Sequence, residues 1–236
     1  MTHSIFKKLT AASALSRSAL LVALVLSVWA VMLTGCATQP AFSDSNEVTR
    51  GTIQPVKTPA GREVATFAGG CFWARDAMFR HLKGVDTVTS GFAGGHTAHP
   101  SYEQVCTGTT GQAETVQIIF DPKVISYHDL LDIFFHTHDP TTLNRQYPDE
   151  GTQYRSAVFY HSARQKAMTE QVIREIGKAH LYSDPIVTQV VPYTGFWPAE
   201  DYHQNYFALN PDNTYCQVTV APEVAHFRKL YHARLK

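Results

Sequence analysis

The chain has 236 residues, 44% of them hydrophobic, with 20 basic and 20 acidic side chains that cancel to zero net charge. That length suits one folded domain with appendages and a core of ordinary size. Zero net charge and the lack of any long like-charged run argue against a nucleic-acid binder, and the mildly basic stretch 226–236 reads as a solvated tail or helix face.

The first 36 residues stand apart. Lys7, Lys8 and Arg17 precede an apolar run over 19–32, which is the order of a secretory signal. The run is short for a membrane span, which needs about 20 residues. Leu33-Thr34-Gly35-Cys36 follows at once. It resembles the lipobox of bacterial lipoproteins, which implies a signal peptide over 1–35, cleavage before Cys36 and a lipid on Cys36 as the link to the membrane. The alternative is a retained signal anchor with an incidental cysteine. Ala37, not aspartate, follows Cys36; by the same resemblance this implies a bacterial envelope protein anchored in the outer membrane and facing the periplasm. Residues 36–60 are rich in Ser, Thr, Pro, Gln and Asn and read as a flexible tether. The folded domain is expected over 61–236.

A strand is predicted over 62–68, and Gly69-Gly70 then turns the chain into a helix predicted over 71–82. Cys71 falls at the helix start, where free backbone N–H groups and the helix dipole favour thiolate. Phe72 and Trp73 set an apolar wall beside the sulfur. The plain alternative is a buried structural cysteine. Strands are predicted over 85–92 and 113–121, where Val116, Ile118 and Phe120 alternate. Ser126, with Asp129 three residues on, is the expected N-cap of a helix carrying Tyr127, Leu130, Leu131 and Phe134 at helical spacing. A strand over 154–160 follows, then a helix to about residue 179 whose start, Ser162 with Gln165, has the form of a capping box. A strand over 186–191 and a short helix over 200–209 complete the pattern, and the chain is expected to be irregular after Asn210. The order βαββαβαβα, with adjacent strands unbroken by helices, predicts an α+β fold with a mixed sheet. Two long aperiodic loops, 91–111 and 136–154, are expected to be functional and to close over Cys71.

With Cys36 lipidated, Cys71, Cys106 and Cys216 remain. An odd count leaves at least one thiol outside a stable disulfide. One reading is an activated Cys71 and a resolving Cys216 on a mobile C-terminal arm, joined as a disulfide during turnover. Spacing equally allows a static Cys71–Cys216 staple with Cys106 buried.

Six motifs then fall in one order: Gly70-Cys71-Phe72-Trp73, Gly91-Phe92-Ala93-Gly94-Gly95, Gly111-Gln112-Ala113-Glu114, His138-Asp139-Pro140-Thr141-Thr142, Gly151-Thr152-Gln153-Tyr154-Arg155-Ser156 and Glu200-Asp201-Tyr202-His203-Gln204. Over residues 62–216 the chain resembles the class A peptide methionine sulfoxide reductases. The resemblance implies a two-layer α+β sandwich, a ferredoxin-like plait with long coil segments, and reduction of the S epimer of methionine sulfoxide, free or in proteins, one enzyme class serving each epimer. It implies that Cys71 attacks the sulfoxide sulfur, that Phe72 and Trp73 wall a pocket for the methyl group, and that Glu114, Tyr102 and Tyr154 hydrogen-bond the oxygen. Glu114 is then expected to be held protonated by burial, with Asp149 ordering the site. Cys71 would end as a sulfenic acid, Cys216 would resolve it, and an external thioredoxin-like dithiol would recycle the disulfide, with no bound cofactor. In place of the family's Gly-Cys-Phe-Trp-Gly-x-Glu this chain has Ala74 and Asp76, for which altered packing or a changed salt bridge is expected. No cysteine follows Cys216, so a relay through a further tail thiol is not expected.

Three other readings compete. A cysteine hydrolase would pair Cys71 with a histidine (His138 or His203) and Asp149. A metal site would use His96 and His99, or His136 and His138, but those spacings suit no standard helical ligand pair, so no metal is expected. A lipid-anchored binding module would keep Cys71–Cys216 as a staple and consume no thiol.

Overall fold

The computed structural model describes residues 56–236; the stretch read as a signal peptide, Cys36 and most of the expected tether lie outside the described residues. The strands are β1 (Glu63–Ala68), β2 (Val85–Ala93), β3 (Ala113–Phe120), β4 (Arg145–Gln146), β5 (Asp149–Glu150), β6 (Ala157–Tyr160), β7 (Gln189–Pro192) and β8 (Phe196–Pro198). Six of them make one sheet in the order β7-β6-β1-β3-β2-β8, while β4 and β5 form a separate hairpin. The helices are α1 (Phe72–Phe79), α2 (Tyr102–Cys106), α3 (Tyr127–His136), α4 (Ala163–Lys178), α5 (Tyr206–Leu209) and α6 (Ala221–Tyr231). β1 pairs antiparallel with both neighbours, placing Phe67 opposite Val116 of β3 and Val158 of β6. β7 joins β6 in parallel, so the sheet is mixed. The α+β class expected from the sequence holds.

Successive side chains of a strand point to opposite faces, and β1 is buried on both. Ala65 and Phe67 join the large core with α1, α3 and α6, while Ala68 joins a smaller cluster with Ala93, Ala113, Ala157, Phe159 and Tyr193. The Phe67 ring stacks on Phe134 of α3 at 4.9 Å and tilts against Phe79 of α1 at 5.9 Å. The helix that begins at Cys71 is thus seated on the central strand that feeds it. The turn between them needs glycine: Gly70 has φ +83°, and a Cβ there would lie 2.6 Å from Cγ of Gln146.

Asp76, the departure from the family pattern, is buried and fully engaged. Its carboxylate accepts from Arg80 Nε (2.6 Å) and Nη2 (2.9 Å), from Ser90 Oγ (3.2 Å) and from the Asn205 N–H (3.1 Å). This one side chain ties α1 to β2 and to the entry of α5. Ala74 is buried in the main core.

Several boundaries differ from expectation. Ser126 is the N-cap as expected, and with Asp129 it forms a reciprocal capping box. Ser162 caps α4, but the Gln165 amide turns instead to the His161 N–H and the Val64 carbonyl, so only half of that box forms. The strand expected from 186 begins at Gln189. The helix expected over 200–209 breaks at Asn205, whose φ is +52°, into a 3-10 turn Asp201–His203 and α5. α2, β8 and the β4–β5 hairpin were not expected, being too short to show a period. The larger correction concerns the C-terminus. The chain after Asn210 is not an irregular arm: a π turn, Cys216–Val220, leads into α6, and Val220, Val224 and Phe227 are buried. Turn-forming residues at 210–213 and Pro222 mask that apolar spacing in the sequence, yet a proline near the start of α6 has a φ already suited to a helix.

Asp76→Ala should lower the unfolding free energy by about 3 kcal/mol, because Arg80 and Ser90 lose a buried partner. Urea unfolding measures it, and a loss below about 1 kcal/mol would mean the tie is not structural.

Candidate active site

Cys71 occupies the N-cap position of α1 with φ −57° and ψ 124°, and is partly exposed. The pairing of Phe92 with Glu114 on β2 and β3 brings Glu114 beneath it. Glu114 is 2% exposed, and its Oε2 accepts the Phe72 N–H at 2.9 Å. Burial raises the Glu114 pKa to about 8; the Asp149 charge adds to this and the Phe72 N–H opposes it. Glu114 is therefore predominantly protonated at neutral pH, as burial was expected to make it.

The thiolate expected from the helix start is not the resting state. Burial pushes the Cys71 thiol well up, and the Glu114 charge pushes it further; the Trp73 N–H and the Tyr215 hydroxyl act the other way but do not prevail. Burial is the main cause, and the Phe72 N–H, one of the helix-start donors expected to face the sulfur, is taken by Glu114. When Glu114 is neutral its contribution to raising the thiol vanishes.

Tyr102 opens α2, and Tyr154 ends a 3-10 turn, Thr152–Tyr154. Burial raises both phenols first and the Glu114 charge next, so both hydroxyls stay hydrogen-bond donors. Asp149 lies in the β4–β5 hairpin and accepts a hydrogen bond from the Tyr215 hydroxyl, while burial holds its pKa up. Tyr215, to which the sequence pattern assigns no role beside Cys216, thus links Asp149 to Cys71.

Trp73 is boxed. Tyr206 stacks on it at 3.8 Å and 10°, Tyr102 lies parallel at 6.5 Å, and Tyr215 meets it edge-on at 5.9 Å. Its indole N–H donates to His203 Nδ1 at 3.1 Å. Phe72 is fully buried and stacks with Tyr102 at 6.2 Å. Glu200 accepts the Tyr102 N–H at 3.1 Å. The motif around Glu200 and His203 therefore supports both the aromatic wall and a phenol; its clustered appearance was the only signal in the sequence. Arg155 pins the two long loops by donating to the carbonyls of Gly111 (2.9 Å), Gly94 (3.4 Å) and Thr152 (2.8 Å).

The two nominated histidines are engaged away from the thiol, His203 with the Trp73 indole. His138 has both nitrogens engaged, Nδ1 with the Phe134 carbonyl (2.6 Å) and Nε2 with Ser156 Oγ (2.8 Å), and burial lowers its pKa to about 3. Asp149 is bonded to a tyrosine, so the hydrolase arrangement does not assemble. Among the described residues no three His, Cys, Asp or Glu side chains converge as a metal site. The three cysteines among the described residues are free, with Cys106 exposed and Cys216 buried; neither the static staple nor a buried Cys106 is present there.

An N-cap thiol over a neutral buried carboxyl, flanked by two phenols and an aromatic wall, on a mixed α+β sheet, defines a thiol enzyme that carries its own proton donor. Similarity to known proteins narrows that class. The family model for peptide methionine sulfoxide reductase matches residues 63–235, and the chain belongs to that family. The peptide methionine sulfoxide reductase MsrA of Thermus thermophilus is 52% identical over 174 residues, covering 74% of this chain and 98% of that one. Its counterpart in Leptospira borgpetersenii is 53% identical over 167 residues, 71% of this chain and 94% of that one. Among solved structures, Mxr1 of Saccharomyces cerevisiae in reduced form superposes with a TM-score of 0.61 at 37% identity, over 70% of this chain and 93% of that one. Methionine sulfoxide reductase A of Corynebacterium diphtheriae does so with 0.60 at 32% identity, over 67% and 79%.

A carboxyl whose folded pKa is raised binds a proton that the unfolded chain has already released, so its stability contribution is full below its ordinary value near 4.5 and lost as pH rises through about 8. Relative to Glu114→Gln, the wild-type protein should lose stability across that window. Denaturant unfolding of both at a series of pH values tests this, and a constant difference would mean Glu114 is not held neutral.

Proposed function

We propose that the protein is a peptide-methionine (S)-S-oxide reductase that returns the S epimer of methionine sulfoxide, free or within oxidised proteins, to methionine. The observation that carries this reading is the neutral Glu114 bonded to the residue after Cys71. A sulfoxide sulfur becomes electrophilic only as its oxygen is neutralised, and a carboxyl kept protonated by burial is the acid that step needs. Cys71 attacks that sulfur while Glu114 protonates the oxygen, and the Tyr102 and Tyr154 hydroxyls hydrogen-bond it. The methyl group rests against Phe72 and Trp73, and Asp149, held by Tyr215, orders the rim. Net, the sulfoxide sulfur gains two electrons and becomes a thioether, and the Cys71 thiol takes the oxygen as a sulfenic acid.

Cys216 then attacks the sulfenic sulfur. An S–S bond forms, the S–O bond breaks, and the oxygen leaves with the thiol proton as water. An external thioredoxin-like dithiol reduces the disulfide, so no bound cofactor enters the cycle. The relatives' shared name and the site geometry support this reading. The order β6-β1-β3-β2, with α1 after β1 and α3 after β3, supports the finer description of the scaffold as a ferredoxin-like plait. The pattern Leu33-Thr34-Gly35-Cys36 supports a lipid anchor on Cys36, an outer-membrane location facing the periplasm, and repair of oxidised envelope proteins.

Separated S and R epimers, offered with dithiothreitol, should show loss of the S epimer alone; turnover of neither would remove the reductase reading. Cys71→Ser should abolish that turnover. Cys216→Ala should reduce about one sulfoxide per enzyme without added reductant and then stall as the sulfenic acid, the first step of cysteine oxidation. Thiol counting by mass spectrometry follows it, and sustained thioredoxin-driven turnover would shift the resolving role to Cys106.

A further inference from the structure

The cycle requires Cys216 to reach Cys71, yet Cys216 is 1% exposed and packs in the core with Val220, Val224 and Phe227. Its neighbour Tyr215 already touches the site. The backbone between them and α6 is held unevenly. The Cys216 N–H is capped by the Asn213 side chain at 3.0 Å, and the Gln217 N–H reaches the Asn213 carbonyl at 3.0 Å. The next turn is a wide π turn closed by the Ala221 N–H on the Cys216 carbonyl, a form that concentrates at functional sites. Pro222 then has no N–H to offer the Val218 carbonyl one turn earlier, and the Val218 side chain is 70% exposed. The ladder is interrupted at Pro222.

Beyond Pro222 the helix is fastened. Val224 and Phe227 are buried, and the Glu223 carboxylate accepts from the guanidinium of Arg75, a side chain 2% exposed. The same guanidinium donates to the Thr137 carbonyl and, at 3.2 Å, to Thr137 Oγ1. A cleft of about 320 Å³ lies between α6 and the segment after α3, lined by Thr137, Asp139, Glu223 and Phe227 among others, and Thr137 and Glu223 on its two sides are the residues that Arg75 joins. Arg75 is also bonded to the nucleophile's own backbone, its N–H reaching the Cys71 carbonyl at 3.4 Å. One residue therefore grips both the Cys71 turn and α6.

We propose that Arg75 and Glu223 are the fixed end of the resolving movement: they hold α6 on α1 while residues 213–220 open at Pro222 and carry Cys216 to Cys71. This rests on reading Cys216 as the resolving cysteine. Six residues of helix span about 9 Å, and the same residues extended span about 20 Å, so unwinding adds roughly 10 Å from a pivot that stays put. Neither residue touches substrate; both are positioning residues.

The test separates the two chemical steps. Reduced enzyme is mixed with one equivalent of methionine S-sulfoxide and quenched with a thiol-blocking reagent, and methionine and the Cys71–Cys216 disulfide are followed in time. Glu223→Ala and Glu223→Gln should form methionine within about twofold of the wild-type rate and the disulfide roughly ten- to a hundredfold more slowly, the scale of losing a positioned partner. Pro222→Ala, which restores a backbone donor, should also slow the disulfide step while its unfolding temperature stays level or rises. A wild-type disulfide rate in either Glu223 variant overturns the anchor, and one in Pro222→Ala overturns the hinge. Equal slowing of both steps in Glu223→Gln would mean general support of the fold and also overturns the proposal. A Cys71–Cys106 disulfide formed at the wild-type rate in Cys216→Ala would instead sink the underlying assignment of Cys216.

Discussion

The hydrogen bond from the Phe72 N–H to Glu114 is the constraint on which the rest of the site depends. It joins the first turn of α1 to β3, and so sets the position of the nucleophile relative to the acid. It can form only because the Gly69-Gly70 turn delivers α1 onto the face of β1 that also carries Phe67, and because Phe67 is packed between α1 and α3. Sheet pairing on one side and aromatic packing on the other leave the carboxyl little water. That dry setting raises its pKa.

The same bond settles a conflict between two acids. A helix start stabilises negative charge, and both the Cys71 sulfur and the Glu114 carboxyl compete for it. Burial disfavours charge on either. With both groups neutral at rest, the site carries one proton on carbon-bound oxygen and one on sulfur, and the approach of a sulfoxide oxygen gives the carboxyl proton somewhere to go. A site tuned in this way favours chemistry that consumes a proton at oxygen as sulfur attacks, which distinguishes it from a permanently ionised thiolate next to an imidazole.

The aromatic wall extends this logic to the C-terminal segment. Tyr206 stacks on Trp73, and its hydroxyl is reached by the Asn213 side chain at 3.4 Å; the same Asn213 caps the Cys216 N–H. Tyr215 joins Asp149 to the nucleophile from the adjacent position. The wall of the pocket and the seat of the second thiol are thus joined through Asn213 and Tyr215.

The sequence by itself determined the α+β class, the strand-turn-helix that bears Cys71, the alternation of β3 that buries Glu114, and the order of motifs, because each is a local pattern of turn residues and apolar spacing. It also marked Tyr102, Tyr154 and Asp149 through resemblance. Only the tertiary structure decided what those groups meet. The donor expected at Cys71 goes to Glu114 because a strand far along the chain passes beneath it, and no local pattern carries that information. His203 and Tyr206 become supports of Trp73, and Tyr215 the partner of Asp149, through contacts between residues 66 to 133 positions apart in the chain. Cys216 is buried rather than loose because Val220, Val224 and Phe227 find a core that a proline and a run of turn residues conceal in the sequence.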